Sequence, residues 1–390
     1  MRILAVNAGS STLKLRLVAP GDRLVSALNV DPWDGSAEPA GLTQWLRGLT
    51  GVDAVGHRVV HGGDRFTGPV RIDGDVLDGM AALTPLAPLH QPRALAAIEA
   101  VRSVLPGAAH VACFDTAFHA GMPEPAATYA LPAAWRRRWP LRRYGFHGLS
   151  HAWSSRRAAE LVGRPILELR IVSCHLGAGA SLCAVLEGRS VDTTMGFTPL
   201  EGLVMATRAG SVDPGLVLWL LRQGGLSADA VARGLEYDAG LAGLAGGSGD
   251  MRDVITAVNR GDPDSGMAFS VYVHRLRREV AAMAAAMGGL DVVVFTGGVG
   301  EHQPTVRAAA VDGLGFLGLA IDPARNAAPA ADADISAPGS ARTVVVASRE
   351  DLEIARQVRA ALAAQPKRTP RPGRPSLTRR RLDTGDVRSC

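Results

Sequence analysis

Residues 1–14 read MRILAVNAGSSTLK, and the rest of the chain is organised around them. Ile3, Leu4, Ala5 and Val6 form a short apolar run of the kind that makes a buried strand, and Asn7-Ala8-Gly9-Ser10-Ser11 breaks it with turn residues. Beyond the turn, Leu13, Leu15 and Leu17 alternate with Lys14 and Arg16, so the second strand has one apolar and one polar face. Gly9 adds no bulk, so the turn can bring backbone N–H groups, hydroxyls and the Lys14 ammonium close to phosphate oxygens. Lys occurs only at 14 and 367, whereas Arg is used everywhere else, which favours a compact point charge at position 14. An ordinary hairpin with a solvated Lys is the alternative, since the Walker spacing is lacking.

Residues 171–183, IVSCHLGAGASLC, repeat the design, and Val292 to Glu301, VVVFTGGVGE, is a third buried strand ending in glycines. Three such turns in one chain suggest a nucleotide held between duplicated halves.

A chain of 390 residues exceeds one compact core, so two domains are expected. Apolar residues at 47%, with 20% charged, describe a globular α/β protein rather than a disordered or fibrous one. Cys113, Cys174, Cys183 and Cys390 show no close paired spacing, which argues against a disulfide framework or zinc site and fits reduced thiols in a cytoplasmic protein. Only four apolar residues precede Asn7, too few for a signal-peptide core, and no uncharged apolar run reaches membrane-spanning length. The formal charge of +5 misleads, because residues 366–390 hold eight basic and two acidic side chains, leaving the body at −1. That Pro- and Arg-rich tail cannot bury enough apolar surface to fold. It reads as a solvated extension or as a weak site for nucleic acid or an acidic partner.

Along the chain, Val52 to Val60 reads as a strand with Arg58 inside it, and a buried Arg implies an anionic partner from the protein or a ligand. A Pro-punctuated loop carries Leu89 and His90. The strand His110 to Phe114 delivers Asp115 to its C-terminal edge, where ligands bind in open α/β sheets, although Asp115 could also cap the next turn. Ser150 is expected to cap a helix through about Val162, with Phe146 and His147 on the loop before it. Asp192 to Gly215 is a long, poorly periodic segment with Arg208 near its middle. Methionines on the helix ending at Gly288-Gly289 read as core. Ser348 is expected to cap the last helix, with Glu350 and Asp351 in its first turn.

The set NAGSSTLK, GHRVVHGG, PLAPLHQP, FDTAFH, YGFHGLSH, CHLGAGAS, DTTMGFTPLEGLVMATRAGSVDP, GDMRD and FTGGVGEH, in this order across residues 1–363, resembles the acetokinase family of short-chain carboxylate kinases. The resemblance implies an α/β fold of two duplicated actin/hexokinase-like (ribonuclease H-like) domains with the nucleotide in the cleft between them. The domains would be residues 1–148 with 349–365, then 149–348, followed by the tail at 366–390. It also implies a homodimer and reversible transfer of phosphate from ATP to acetate, giving acetyl phosphate and ADP, with Mg²⁺ or Mn²⁺.

By motif, the family's catalytic residues fall on Asp115, His147 and Arg208, and its substrate site on Arg58, Val60, Leu89, Phe146 and Pro199. Nucleotide contacts fall on Lys14, His175, Leu176, Gly177, Ala178, Gly179, Asp250, Met251, Arg252, Gly298, Val299, Gly300, Glu301 and His302, and metal contacts on Asn7 and Glu350. A membrane partner is not expected, and nucleic acid would meet only the tail. The chain departs from the pattern at Ala178 and Gln91, each in place of Asn, at Ser211 in place of Asp, and at Arg349 in place of Asn, and the segment between Lys14 and Arg58 is short. Propionate or another short acid as acceptor, and a nucleotide-binding regulator of weak activity, are the alternatives.

Overall fold

The computed structural model describes residues 1–9, 12–33, 35, 41–329 and 331–364. Ser10 and Ser11 of the first turn and the basic tail lie outside the described residues. No described helix is long and apolar enough to cross a membrane.

Two six-stranded sheets dominate the molecule. The first contains β1 (Ile3–Ala8), β2 (Leu13–Val18), β3 (Leu24–Val30), β4 (Ala54–Val59), β5 (Val70–Arg71) and β6 (Ala109–Phe114) in the order β3-β2-β1-β4-β6-β5. The second contains β7 (Arg170–Leu176), β8 (Ala180–Leu186), β9 (Arg189–Thr193), β10 (Val292–Thr296), β11 (Asp332–Asp334) and β12 (Arg342–Val346) in the order β11-β12-β10-β7-β8-β9. Read from the opposite edge, the second order repeats the first strand for strand. Each sheet opens with an antiparallel meander, continues with two parallel additions, β4 and β6 or β10 and β12, and ends on a short antiparallel edge strand. This is the duplication that the three glycine-ended strands suggested, and its architecture is the actin/hexokinase-like one.

The central strands are apolar on both faces, as strands covered on both sides must be. Leu4 and Val6 of β1 pack with Leu13, Leu15 and Leu17 of β2 and with Leu42 and Leu46, whereas Ile3 and Ala5 face Leu352, Ile354, Ala355 and Val358. Those last four residues belong to the Glu350–Ala363 helix, which returns to the first sheet from the end of the second. Its Glu353 is buried and pairs with Arg156 of the Gly148–Val162 helix and with Arg356. Because β1 pairs Asn7 with Lys14 and Ala5 with Arg16, one face of the first hairpin presents all four to the same side.

Helix starts differ from the sequence expectation at two points. Ser150 lies inside the Gly148–Val162 helix, whose N-cap is His147 in a left-handed conformation with φ 55°. Gly148 opens the helix against the Asp115 carbonyl, where a side chain would not fit, and the Ser150 hydroxyl, inside the first turn rather than capping it, bonds His175 Nδ1 at 2.7 Å. The last helix is capped by Arg349, not Ser348, with no side-chain cap bond. There the Arg349 guanidinium donates to both oxygens of Asp351, at 2.9 and 2.8 Å.

A Cβ on Gly56 of β4 would run into the Cγ2 methyls of Ile354 and Val358. Gly56→Ala is therefore expected to lower stability by about 1–3 kcal/mol, the usual cost of overpacking, read as a fall in the urea midpoint. An unchanged midpoint would mean that the returning helix docks loosely.

Candidate active site

The β1–β2 hairpin and the β7–β8 hairpin both end in a tight glycine turn. Gly9 donates its N–H to the Thr12 carbonyl at 2.7 Å, and Gly177 donates to Gly179 at 3.0 Å. A cavity of about 610 Å³ opens between these turns, and its lining comes from both halves of the chain. Asn7, Lys14, Arg58, Val60, Asp115, Phe146, His147, His175, Gly179, Pro199, Arg208, Gly298, Glu301 and Glu350 all line it. Fourteen residues separated by up to 343 positions thus converge on one space.

The polar floor is a connected network. Arg58 projects from β4 and donates to Asp115 through Nε at 3.2 and 3.1 Å and through Nη2 at 2.7 Å. Its Nη1 donates to Asn7 Oδ1 at 3.0 Å, and Asn7 Nδ2 donates to Glu350 Oε2 at 2.5 Å. Asp115 is fully buried at the end of β6, as expected for a carboxylate delivered to that edge. Burial pulls the Arg58 pKa down, but Asp115 and Glu350 more than offset this and hold it above its ordinary value. Burial pushes the Asp115 carboxyl up, opposed by Arg58. Glu350 is also pushed up by burial, yet Arg58, His175, Asn7 and Lys14 together leave it below the usual range, so it faces the cavity ionised.

Arg208 is held differently. Its segment carries no regular element from Thr194 to Asp213, as the sequence indicated, but is pinned by bonds from Ala206 N–H to the Ala178 carbonyl at 3.0 Å and from Ala209 N–H to Leu235 at 3.0 Å. Ser211 closes the loop in both directions, its N–H donating to the Gly202 carbonyl at 3.0 Å and its hydroxyl accepting from Gly202 N–H at 3.1 Å. Arg208 Nη1 donates to the Pro199 carbonyl at 3.3 Å. Burial lowers its pKa, and no described carboxylate forms an ion pair with it. A desolvated guanidinium without a carboxylate favours an incoming anion. Gly179 stands beside it, since a Cβ there would lie 3.6 Å from both Arg208 Nη1 and His147 Nε2.

Three histidines share this electropositive space. The rings of His147 and His175 lie tilted by 30° with centroids 4.3 Å apart. Burial, then His175, Arg58, His151 and Arg208, hold His147 far below its ordinary value. His90 is lowered to about 4 by burial and by Arg208, Arg58 and Arg93.

A second cavity of about 380 Å³ adjoins the first through Gly298, which lines both. Gly177, Ala178, Asp250, Met251, Arg252, Val299 and His302 surround it. Asp250 caps the Met251–Asn259 helix by accepting from Arg252 N–H at 2.8 Å, and it also pairs with the Arg252 side chain at 2.5 Å. Three expected residues line neither cavity. Leu89 is 40% exposed, Leu176 is buried within β7, and Gly300 is buried within the Gly297–His302 helix. Arg307, which the sequence analysis passed over, is fully buried and donates to the Gly300 and Glu301 carbonyls, both at 2.8 Å, fastening that helix. No motif or periodicity in the sequence singles it out. Gln91 donates to the His61 and Met80 carbonyls at 3.3 and 3.0 Å, a packing role that keeps it out of the cavity.

No cluster of three or more His, Cys, Asp or Glu among the described residues would cage a metal ion. The donor set fits a hard cation that keeps its water and takes phosphate oxygens, because the ionised Glu350 carboxylate faces the same space as Asp115.

The buried imidazoles make stability depend on pH. His61, His90 and His119 are each lowered to about 4, mainly by burial, against about 6.5 in the unfolded chain. The unfolded chain therefore binds more protons between these values, so stability is complete above pH ~6.5 and is lost as pH falls toward 4. The urea midpoint should decline steadily across that window; a flat midpoint would mean that these rings are hydrated.

The sequence of the Acetokinase family matches residues 42–356. The acetate kinase of Deinococcus deserti is 50% identical over 317 residues, covering 80% of this chain and 79% of that protein. The crystal structure of Porphyromonas gingivalis acetate kinase superposes with a TM-score of 0.83 at 35% identity, covering 93% of this chain and 99% of that one. A propionate kinase from Francisella tularensis gives a TM-score of 0.84 at 34% identity, covering 91% and 98%. Family match, identity and fold agree, and the chain belongs to the acetokinase family.

Proposed function

We propose that this chain transfers the γ-phosphoryl group of ATP to acetate, reversibly and in line, giving acetyl phosphate and ADP. The observation that carries this reading is the pair of arginines on one cavity, Arg58 already held by a carboxylate and Arg208 without one. A carboxylate acceptor and a triphosphate repel each other, and two cations facing one space offset that repulsion.

The acceptor carboxylate is ionised at neutral pH, so no general base is required. Arg58 orients it, with Asp115 holding the guanidinium in place, and Val60, Phe146 and Pro199 surround its methyl group. The acceptor oxygen attacks the γ-phosphorus while the bond to the bridging β–γ oxygen breaks. Arg208 and His147 stabilise the charge on the equatorial oxygens, the dominant contribution protein groups make to such a transfer. The glycine turns and Lys14 meet the phosphates, and the second cavity takes the nucleoside, with Ala178 providing only backbone there. Glu350 and Asn7 would hold a magnesium ion, with manganese a substitute, which supplies neutralisation of the phosphate oxygens. Propionate is the second reading, because a propionate kinase is among the structural neighbours and one methylene is worth only ~1–3 kcal/mol in an apolar pocket.

The domain assignment follows the same reading: residues 1–148 with 349–365 form one body, since the Glu350–Ala363 helix packs on the first sheet, and 149–348 form the other. Assembly as a homodimer is supported by the Pro214–Arg222 helix, PGLVLWLLR, which has no buried residue and exposes Leu216, Leu218 and Trp219. An apolar helix of this kind needs a covering surface. The buried free thiols of Cys113, Cys174 and Cys183 favour a reducing, cytoplasmic setting.

Acyl phosphate formed from Mg-ATP and trapped with hydroxylamine, across acetate, propionate and butyrate, tests the reaction. Acetate is expected to be at least as good as propionate; preference for a longer acid would change the substrate, and no product at all would overturn the reading. Arg208→Ala is expected to lower turnover by about 10² or more, and a smaller loss in a folded protein would remove Arg208 from contact with the phosphoryl group. Trp219→Glu is expected to halve the mass measured by light scattering, whereas a parent chain that is already monomeric would rule out the dimer.

A further inference from the structure

Behind His147 the protein interior is polar well beyond what a cavity wall requires. The Gly148–Val162 helix meets the second sheet through Ser150, His151 and Ser154, all buried. Two of these, His151 and Ser154, belong to a run of hydrogen bonds that starts at His147. His147 Nδ1 lies 2.9 Å from Ser181 Oγ, and the same oxygen is 2.8 Å from His151 Nε2. His151 Nδ1 lies 2.8 Å from Ser173 Oγ, which is 2.9 Å from Ser154 Oγ. This chain of five side chains contains no formally charged group.

Counting protons limits what it can do. The Ser181 hydroxyl has one proton and, among the described residues, no hydrogen-bond partner other than these two imidazoles, so satisfying that proton makes it donate to one ring nitrogen and accept from the other. The tautomers of His147 and His151 are therefore tied together. In one arrangement every proton points toward the cavity: Ser154 donates to Ser173, Ser173 to His151 Nδ1, His151 Nε2–H to Ser181, and Ser181 to His147 Nδ1. His147 then carries its own proton on Nε2. In the other arrangement each bond is reversed, Ser154 donates to the His151 carbonyl at 3.4 Å, and His147 Nε2 offers a lone pair. Neither arrangement changes the net charge. His147 lines the cavity, and the position 3.6 Å from its Nε2 that a Gly179 Cβ would take lies equally close to Arg208 Nη1. The end of the chain thus opens where the unpaired arginine and the glycine turn meet.

We infer that Ser181 and His151 are positioning residues that present the Nε2–H of His147 to the transferring phosphoryl group. An anion beside Arg208 selects the arrangement that points a donor at it, and no proton has to enter a space that already holds Arg58 and Arg208. The inference rests on the phosphoryl-transfer reading and assigns to the buried serines and to His151 the orientation of one imidazole.

A double-mutant cycle in the full chain tests this. Ser181→Ala should lower kcat about 10- to 100-fold, the range for groups that orient a working imidazole, with KM for acetate and for ATP changed by less than about 3-fold. In a His147→Ala background the same substitution should cost less than about 2-fold, because the group it orients is gone. Equal losses in both backgrounds, or no loss in either, would overturn the proposal. Ser173→Ala, one link further away, should show the same dependence on His147 if Ser181→Ala does not fold. Ring ¹⁵N shifts of His147, recorded with inorganic phosphate, should report the Nε2–H tautomer in the parent chain and a changed signal in Ser181→Ala. An identical signal in both would refute the relay even if the parent made no acetyl phosphate, an outcome that would count separately against the function.

Discussion

Arg58 is a guanidinium set among strand ends, and the polar floor of the cavity is built around the carboxylate that holds it. Its carboxylate comes from the end of β6, its amide partner from β1, and the carboxylate behind that amide from the first turn of the last helix. Each group lies on a different element, so the network forms only when three parallel strands are in register and the returning helix has docked. Removing one partner from such a buried pair costs ~3–5 kcal/mol, because it strands the other charge. The tight approach of Gly56 to Ile354 and Val358 belongs to the same requirement, since that helix carries Glu350.

Duplication explains how one hairpin design came to serve two purposes. Asn7 and Lys14 are cross-strand partners one residue inside the β1–β2 turn, and His175 and Ser181 hold the same register position in β7–β8. In the first half these positions face the cavity with an amide and an ammonium. In the second, His175 reaches the cavity while Ser181 supports another imidazole from behind. The same register position, beside turns of four and of three residues, thus delivers groups of different chemistry from opposite sides, which a reaction joining two unlike anions requires.

Much of this was legible in the chain. The β1–β2 hairpin, the strand carrying Arg58, and Asp115 at a strand edge followed from apolar runs and turn residues, because both depend on nearest neighbours in sequence. What could not be read depends on contacts between distant segments. Ser150 looks like a helix cap until Gly148 is seen pressed against the Asp115 carbonyl, a contact no local pattern encodes. Leu89 sits beside His90 in sequence, yet His90, the N-cap of the following helix, lines the cavity while Leu89, one residue back in the turn, is 40% exposed. Arg307 lies in none of the motifs and Ser181 is only the last residue of CHLGAGAS, and their roles emerge only from the carbonyls and imidazoles that three-dimensional packing brings to them.

Arg208 has a consequence for the behaviour of the free protein in solution. With Arg58 satisfied internally and Arg208 in no ion pair among the described residues, Glu236 acting on it only at longer range, the cavity keeps one cation open to an anion. Small tetrahedral or planar oxyanions of the medium are its natural counterions. Sulfate, phosphate or nitrate in a storage buffer would act as a ligand rather than as an inert salt, so the choice of anion sets the reference state against which substrate affinity is measured.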